Sequence, residues 1–171
     1  MSVVLLGYRG SGKTTLGHKL ADRLWIKFVD TDDLVVAAAR KTIREIFESD
    51  GEQQFRDLEV QAVRDACGRE DHVIALGGGA VLRDENRALL KSLTYSRIYL
   101  QCEPAELMKR IESDSATAAN RPHLTSLAES LQEIESMLKI REPLYREVMT
   151  AELDVTNLSP EEAYVHITRV M

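Results

Sequence analysis

The chain has 171 residues, 44% hydrophobic and 29% charged, a composition that sustains one ordinary core and excludes disordered, collagen-like and coiled-coil classes. Twenty-two basic against 28 acidic residues leave a formal charge of −6, which argues against a protein built to coat nucleic acid or an anionic membrane. Any anion it takes must therefore be captured locally.

Met1-Ser2-Val3-Val4-Leu5-Leu6-Gly7 lacks the basic region and apolar length of a signal peptide, and no uncharged run approaches bilayer length, so a cytoplasmic location is expected. Val3–Leu6 is a short aliphatic run closed by Gly7, after which Leu16, Leu20, Ala21 and Leu24 recur at helical spacing: strand, glycine loop, helix. Residues 26–29 predict a second strand ending at Asp30, and 53–66 a helix. A third strand over 72–76 runs into Gly77, Gly78 and Gly79, a helix follows over 85–93, and a fourth strand covers 97–100. Residues 104–111 read as a helix with proline in its first turn. Leu127, Leu131, Ile134 and Leu138 mark a longer helix, and 152–155 a fifth strand. Ser159-Pro160-Glu161-Glu162 carries a capping-box pattern that opens a last helix.

Short apolar runs alternating with amphipathic segments predict an α/β fold of parallel strands joined by helical crossovers. No repeat or linker-like stretch divides residues 1–171, so a single unit is expected. Between 113 and 126 the sequence SDSATAANRPHLTS is small, polar and aperiodic, which reads as a mobile surface segment. Cys67 and Cys102, distant and without metal-ligand spacing, read as core thiols.

Gly7-Tyr8-Arg9-Gly10-Ser11-Gly12-Lys13-Thr14 fits G-x-x-x-x-G-K-[ST] at every fixed position, between a predicted strand and a predicted helix. A chance match in such a chain is on the order of one per cent or less, which leaves little room for a mere glycine turn beside a surface lysine. Glycines let the backbone wrap a phosphate, successive N–H groups point inward, and the following helix offers its positive end. Gly10, Ser11, Gly12, Lys13, Thr14 and Thr15 are thus the expected contacts of a purine nucleoside triphosphate, Lys13 reaching the β- and γ-phosphates and Thr14 ligating Mg²⁺. Switches, motors and kinases share such a loop, so it does not identify the phosphoryl acceptor.

Ligands of open parallel sheets gather outside the carboxyl ends of the strands. That rule unites the phosphate loop, Asp30-Thr31-Asp32-Asp33 and Gly77-Gly78-Gly79 at one edge. One aspartate could hold the metal while another accepts a proton from an attacking hydroxyl; the alternative is that Asp30 and Asp33 only cap the next helix. The third strand lacks a following Walker B aspartate, which makes Asp30 the candidate second anchor for the metal. The glycine triplet is either a turn before a helix or a place where a ligand approaches closely. Arg56 and Arg141 lie in helical segments, where most arginines are solvated surface.

Six motifs in order, GYRGSGKTT, VDTDD, DGEQQFRDLE, IALGGG, NRPHLT and REPLYRE, make the chain resemble the shikimate kinases from residue 3 to about 167. The resemblance implies transfer of the γ-phosphoryl of ATP to the 3-hydroxyl of shikimate, on the route to chorismate and the aromatic amino acids. It implies a P-loop kinase fold: a three-layer αβα sandwich with five parallel strands in the order 2-3-1-4-5, usually monomeric, with a mobile lid over 113–126 and a shikimate-binding helical region over 31–60. By matching positions, Asp32 binds the acceptor hydroxyl as base, Arg56 and Arg141 hold the shikimate carboxylate, and Gly78 and Gly79 lie against the ring. Asp30 supports Mg²⁺ through water, Arg121 closes over the transferred phosphoryl, and Arg110 with Asn157 to Pro160 contacts adenine. One departure stands out: the usual Arg-Pro-Leu-Leu of the lid reads Arg121-Pro122-His123-Leu124.

The chemistry agrees with this assignment. A small polyhydroxylated carboxylate calls for paired guanidinium groups and a carboxylate at the reacting hydroxyl. The competing readings are another small-metabolite kinase, of gluconate or nucleoside monophosphate type, and a nucleotide-dependent switch.

Overall fold

Parallel pairing of short aliphatic strands sets the architecture, seen in a computed structural model that describes residues 1–114 and 131–171. The central strand β1 (Val3–Leu6) lies between β3 (His72–Ala75) and β4 (Ser96–Gln101), with β2 (Lys27–Asp30) and β5 (Ala151–Asp154) at the two edges. All four pairings are parallel, in the order β2-β3-β1-β4-β5 that the resemblance implies. Parallel strands need crossovers, and crossovers cover both faces of the sheet, so all four residues of β1 are at most 1% exposed.

Successive side chains of β1 feed opposite faces. Val3 and Leu5 join Leu16, Leu20, Leu100 and Ile167 in one core; Val4 and Leu6 join Val63, Ile74, Leu90 and Tyr145 in the other. The helices are α1 (Lys13–Leu24), α2 (Thr31–Ala39), α3 (Ile43–Ser49), α4 (Gly51–Cys67), α5 (Asp84–Ser92), α6 (Pro104–Ser113), α7 (Leu131–Val148) and α8 (Pro160–Val170). A single 3₁₀ turn, Ala80–Leu82, follows the glycine triplet. Leu127, which marked the start of the long helix in the sequence, lies outside the described residues, as do 115–126 of the expected lid. Both cysteines are buried and unpaired, as expected of core thiols.

The segment between β2 and α4 forms two helices that periodicity did not reveal. In α2 the run Leu34 to Ala39 is apolar throughout, so no face stands out, and burial selects only Thr31, Asp32 and Val35. The second, α3, did carry a signal: Thr42 caps Glu45 and Glu45 returns the bond, a complete capping box. Both pack on α4 through Val35, Ile43, Ile46, Phe55 and Ala62, a small core under one side of the sheet's carboxyl edge.

Because Leu6 is fully buried at the end of the strand that launches the phosphate loop, Leu6→Ala leaves a cavity there. Equilibrium urea unfolding is expected to show a loss of about 2–5 kcal/mol, and a loss below about 1 kcal/mol would contradict this packing.

Candidate active site

The phosphate loop begins where β1 ends. Gly10 and Gly12 have φ of 82° and 91°, left-handed values that side-chain-bearing residues rarely adopt, and this backbone turns the loop into the first turn of α1. No side chain caps α1 and its first turn has no acidic residue, so its leading N–H groups are offered to an anion. Lys13 Nζ donates to the carbonyls of Gly7 (2.8 Å) and Tyr8 (2.9 Å), which folds the lysine over the loop it serves.

Asp30, the last residue of β2, does two jobs at once. Its Oδ1 accepts from the N–H of Asp32 (2.9 Å), capping α2, and its Oδ2 accepts from Thr14 Oγ1 (3.1 Å). The capping alternative is therefore correct for Asp30 without excluding the metal role. Burial, foremost, and the charge of Asp32 push the Asp30 carboxyl above the usual carboxylate range, against the pull of Lys13. Thr31, fully buried, accepts the Gly77 N–H at 2.8 Å and latches the end of β2 to the end of β3.

Asp32 stands in the first turn of α2, 9% exposed, against the glycine triplet. A Cβ on Gly77 would lie 2.5 Å from Asp32 Oδ1 and 3.2 Å from Glu59 Oε1, and one on Gly79 would collide with the Arg56 guanidinium. A Cβ on Gly78 would lie 3.7 Å from Arg141 Nη1. None of the three glycines has positive φ. For Gly77 and Gly79 the reason is space: they admit the protein's own charged side chains, a cause the sequence reading, which offered a helix-preceding turn or close ligand approach, did not include.

Arg56 (8% exposed) and Arg141 (5%) are buried, which overturns the surface reading for both. Arg56 Nη1 donates to Glu59 Oε2 at 2.8 Å. Arg141 Nη1 donates to the Gly78 carbonyl at 3.4 Å, its guanidinium lies 5.3 Å from the Tyr8 ring centre, and its Nε is buried without a hydrogen-bond partner among the described residues. Guanidinium nitrogens left short of acceptors beside a bare turn suit an incoming carboxylate.

A cavity of about 530 Å³ joins these parts, with Lys13, Thr14, Asp30, Asp32, Gly78 and Arg110 in its wall; Arg56 and Arg141 adjoin it across the glycine turn. Arg110 also donates to the carbonyls of Val155 (2.9 Å) and Thr156 (3.1 Å), which ties α6 to the loop before α8. Asn157 on that loop and Pro160, the first residue of α8, are exposed and do not line the cavity. Arg121 lies outside the described residues.

Three residues not singled out in the sequence belong to this neighbourhood: Arg9 in the cavity wall, Tyr145 donating to the Gly78 carbonyl at 2.5 Å, and Glu59. The spacing of Arg56 and Glu59, three apart on a helix, was the available signal for the last. Glu59 is 1% exposed, and burial pushes its carboxyl up to about 7, while Arg56 pulls it down and Asp32 adds to the rise.

A model of the family described as shikimate kinase matches residues 9–171. Among curated relatives, the shikimate kinase of Rhodopirellula baltica is 38% identical over 96% of this chain and 87% of its own length, and that of Thermobifida fusca 39% over 94% and 88%. Among solved structures, shikimate kinase from Acinetobacter baumannii in complex with shikimate superposes with a TM-score of 0.89 at 32% identity, covering 99% of this chain and 91% of that one. A gluconokinase from Sinorhizobium meliloti shares the fold, with a TM-score of 0.61 at 20% identity over 99% and 92% of the two chains.

The raised affinity of Glu59 for its proton has a measurable consequence. Between about 4.5 and 7 the unfolded chain has released this proton while the folded protein keeps it, so stability falls as pH rises through that window and levels off above it. In Glu59→Gln the contribution is absent, by at most about 1.4 kcal/mol per pH unit. Denaturation midpoints of both proteins across pH 4.5–7.5 test this, and parallel profiles would refute it.

Proposed function

The chain belongs to the shikimate kinase family, and from that premise we propose that it transfers the γ-phosphoryl of ATP to the 3-hydroxyl of shikimate, yielding shikimate 3-phosphate and ADP. The observation that carries this is the meeting of Lys13, Thr14, Asp32 and Gly78 on one cavity, with two buried arginines behind its glycine turn. That arrangement matches the needs of both substrates, and a family relative has been solved with shikimate bound.

Each residue has a role in this reading. Gly10, Ser11, Gly12, Thr14 and Thr15 cradle the phosphates, and Lys13 leaves the Gly7 and Tyr8 carbonyls to reach the β- and γ-phosphoryl oxygens. Arg56 and Arg141 grip the shikimate carboxylate, with Gly78 and Gly79 against the ring. Asp32 orients the 3-hydroxyl and takes its proton as the new O–P bond forms and the bond from the γ-phosphorus to ADP breaks. Arg121 closes over the transferred phosphoryl, and Arg110, Asn157 and Pro160 border the adenine.

Mg²⁺, when bound, neutralises charge on the β- and γ-phosphoryl oxygens. Thr14 and, through water, Asp30 would hold it. Their oxygens stand 3.1 Å apart beside the loop, hard donors that suit this ion, and a cation there would offset the cost of burying the Asp30 charge. We read residues 1–171 as one unit, with 31–60 as the acceptor side, acting in the cytoplasm as a monomer on small molecules, with neither nucleic acid nor membrane as partner. Among the described residues no helix is long and apolar enough to cross a membrane.

The gluconokinase likeness bears on the fold alone, and a coupled assay of ADP release separates the readings. The kinase turns over only when shikimate is added; slow hydrolysis indifferent to shikimate would instead mark a nucleotide switch. With Asp32→Asn, kcat is expected to fall on the order of 10²-fold or more while nucleotide affinity holds. Near-normal kcat in that variant would end the assignment of Asp32 as base.

A further inference from the structure

We propose that Tyr145 is a positioning residue for the acceptor: its hydroxyl holds the Gly78–Gly79 peptide and so aligns the glycine turn with Arg141 as one carboxylate clamp. The inference rests on the reading above that Arg141 receives the carboxylate and that this turn lies against the ring, and it adds the turn's amide to the clamp. Tyr145 is 1% exposed, and its hydroxyl donates to the Gly78 carbonyl at 2.5 Å. Arg141, one helical turn earlier on the same face of α7, donates to that same oxygen at 3.4 Å. Two donors from one helix thus converge on one carbonyl of a turn that carries no side chains.

The consequence is directional. No peptide bond among the described residues is cis, so the N–H of Gly79 points opposite the Gly78 carbonyl. Anchoring that carbonyl to α7 fixes where the amide donor on the other side of the peptide aims. The carbonyls on either side are held within the turn, Gly77 accepting from Ala80 at 3.0 Å and Gly79 from Leu82 at 2.9 Å, whereas the Gly78 carbonyl is held from α7, and glycine has no side chain to restrict that peptide.

The ring of Tyr145 is independently located. It stacks on Tyr99 at 4.9 Å and 24°, within the core beside Leu6, Leu76 and Val148, while the Tyr99 hydroxyl is taken by Glu142 at 3.3 Å. Packing therefore accounts for the ring of Tyr145, and its hydroxyl serves the turn. A buried hydroxyl costs stability unless bonded, and here its partner is the backbone of the acceptor site.

Tyr145→Phe keeps the ring and deletes the bond. In steady-state kinetics KM for shikimate is expected to rise roughly 5- to 10-fold, with kcat and KM for ATP within about twofold, and calorimetry should show the same loss of shikimate affinity. Arg141→Lys should raise the same KM, and the double variant should lose less than the product of the two, because both act through one carbonyl. Tyr145→4-aminophenylalanine, which restores a donor on the same ring, should recover most of the affinity.

If Arg141→Lys raises KM for shikimate while Tyr145→Phe lowers only the melting temperature, Tyr145 is merely structural and the proposal fails. If neither variant moves KM for shikimate, the carboxylate binds elsewhere and the underlying site assignment fails with it. Loss of kcat at unchanged KM in Tyr145→Phe would equally overturn the positioning role.

Discussion

Three successive residues without side chains are the constraint around which the rest of the site is arranged. Asp32 and Glu59 press against Gly77 and Arg56 against Gly79, closer than a Cβ would comfortably allow, while Arg141 lies beside Gly78 at ordinary contact distance. Consecutive Cα atoms are about 3.8 Å apart, so oppositely charged groups from three helices are gathered within a few ångströms of one strand end. Helices α2, α4 and α7 could not bring these groups together around a turn with ordinary side chains.

Such a concentration of charge in a buried place survives because opposite signs are paired. Glu59 accepts a hydrogen bond from Arg56 at 2.8 Å and pairs its charge once ionised above about pH 7, while Lys13 and Thr14 attend Asp30 and the loop carbonyls. Breaking a buried pair costs more than the pair contributes, so the network is rigid as well as balanced. That rigidity suits phosphoryl transfer, where positioning and prepared charge do most of the catalytic work. A chain of net charge −6 can thereby take anions without an overall basic surface, because two buried arginines and the half-buried Lys13 supply positive charge locally.

Much of this was legible in the linear sequence where a motif is local. The phosphate loop needs eight adjacent residues, and the strand before it and the helix after it announce themselves by composition and spacing. The five strands were found within one or two residues of their ends, and family likeness supplied their order. Family likeness implied a helical region over 31–60, but periodicity resolved neither α2, an apolar run with no distinct face, nor α3, whose seven residues make too short a pattern despite a complete capping box. Glu59 and Tyr145 were passed over because, in sequence, each is one more polar residue on an amphipathic helix; their partners lie three and 67 positions away.

The sequence by itself determined the nucleotide loop, the α/β alternation and the chemical kinds of groups available for an acceptor. Whether an arginine is solvated or buried, whether a glycine serves backbone freedom or clearance, and whether Asp30 caps a helix were decided only by tertiary structure. Those properties depend on distances between residues far apart in the chain, and such distances are set by how helices pack on the sheet, which no local pattern encodes. Asp30 shows the point most plainly: one oxygen caps α2 while the other meets Thr14 of the phosphate loop, a pairing of residues 16 apart that the sequence alone does not reveal.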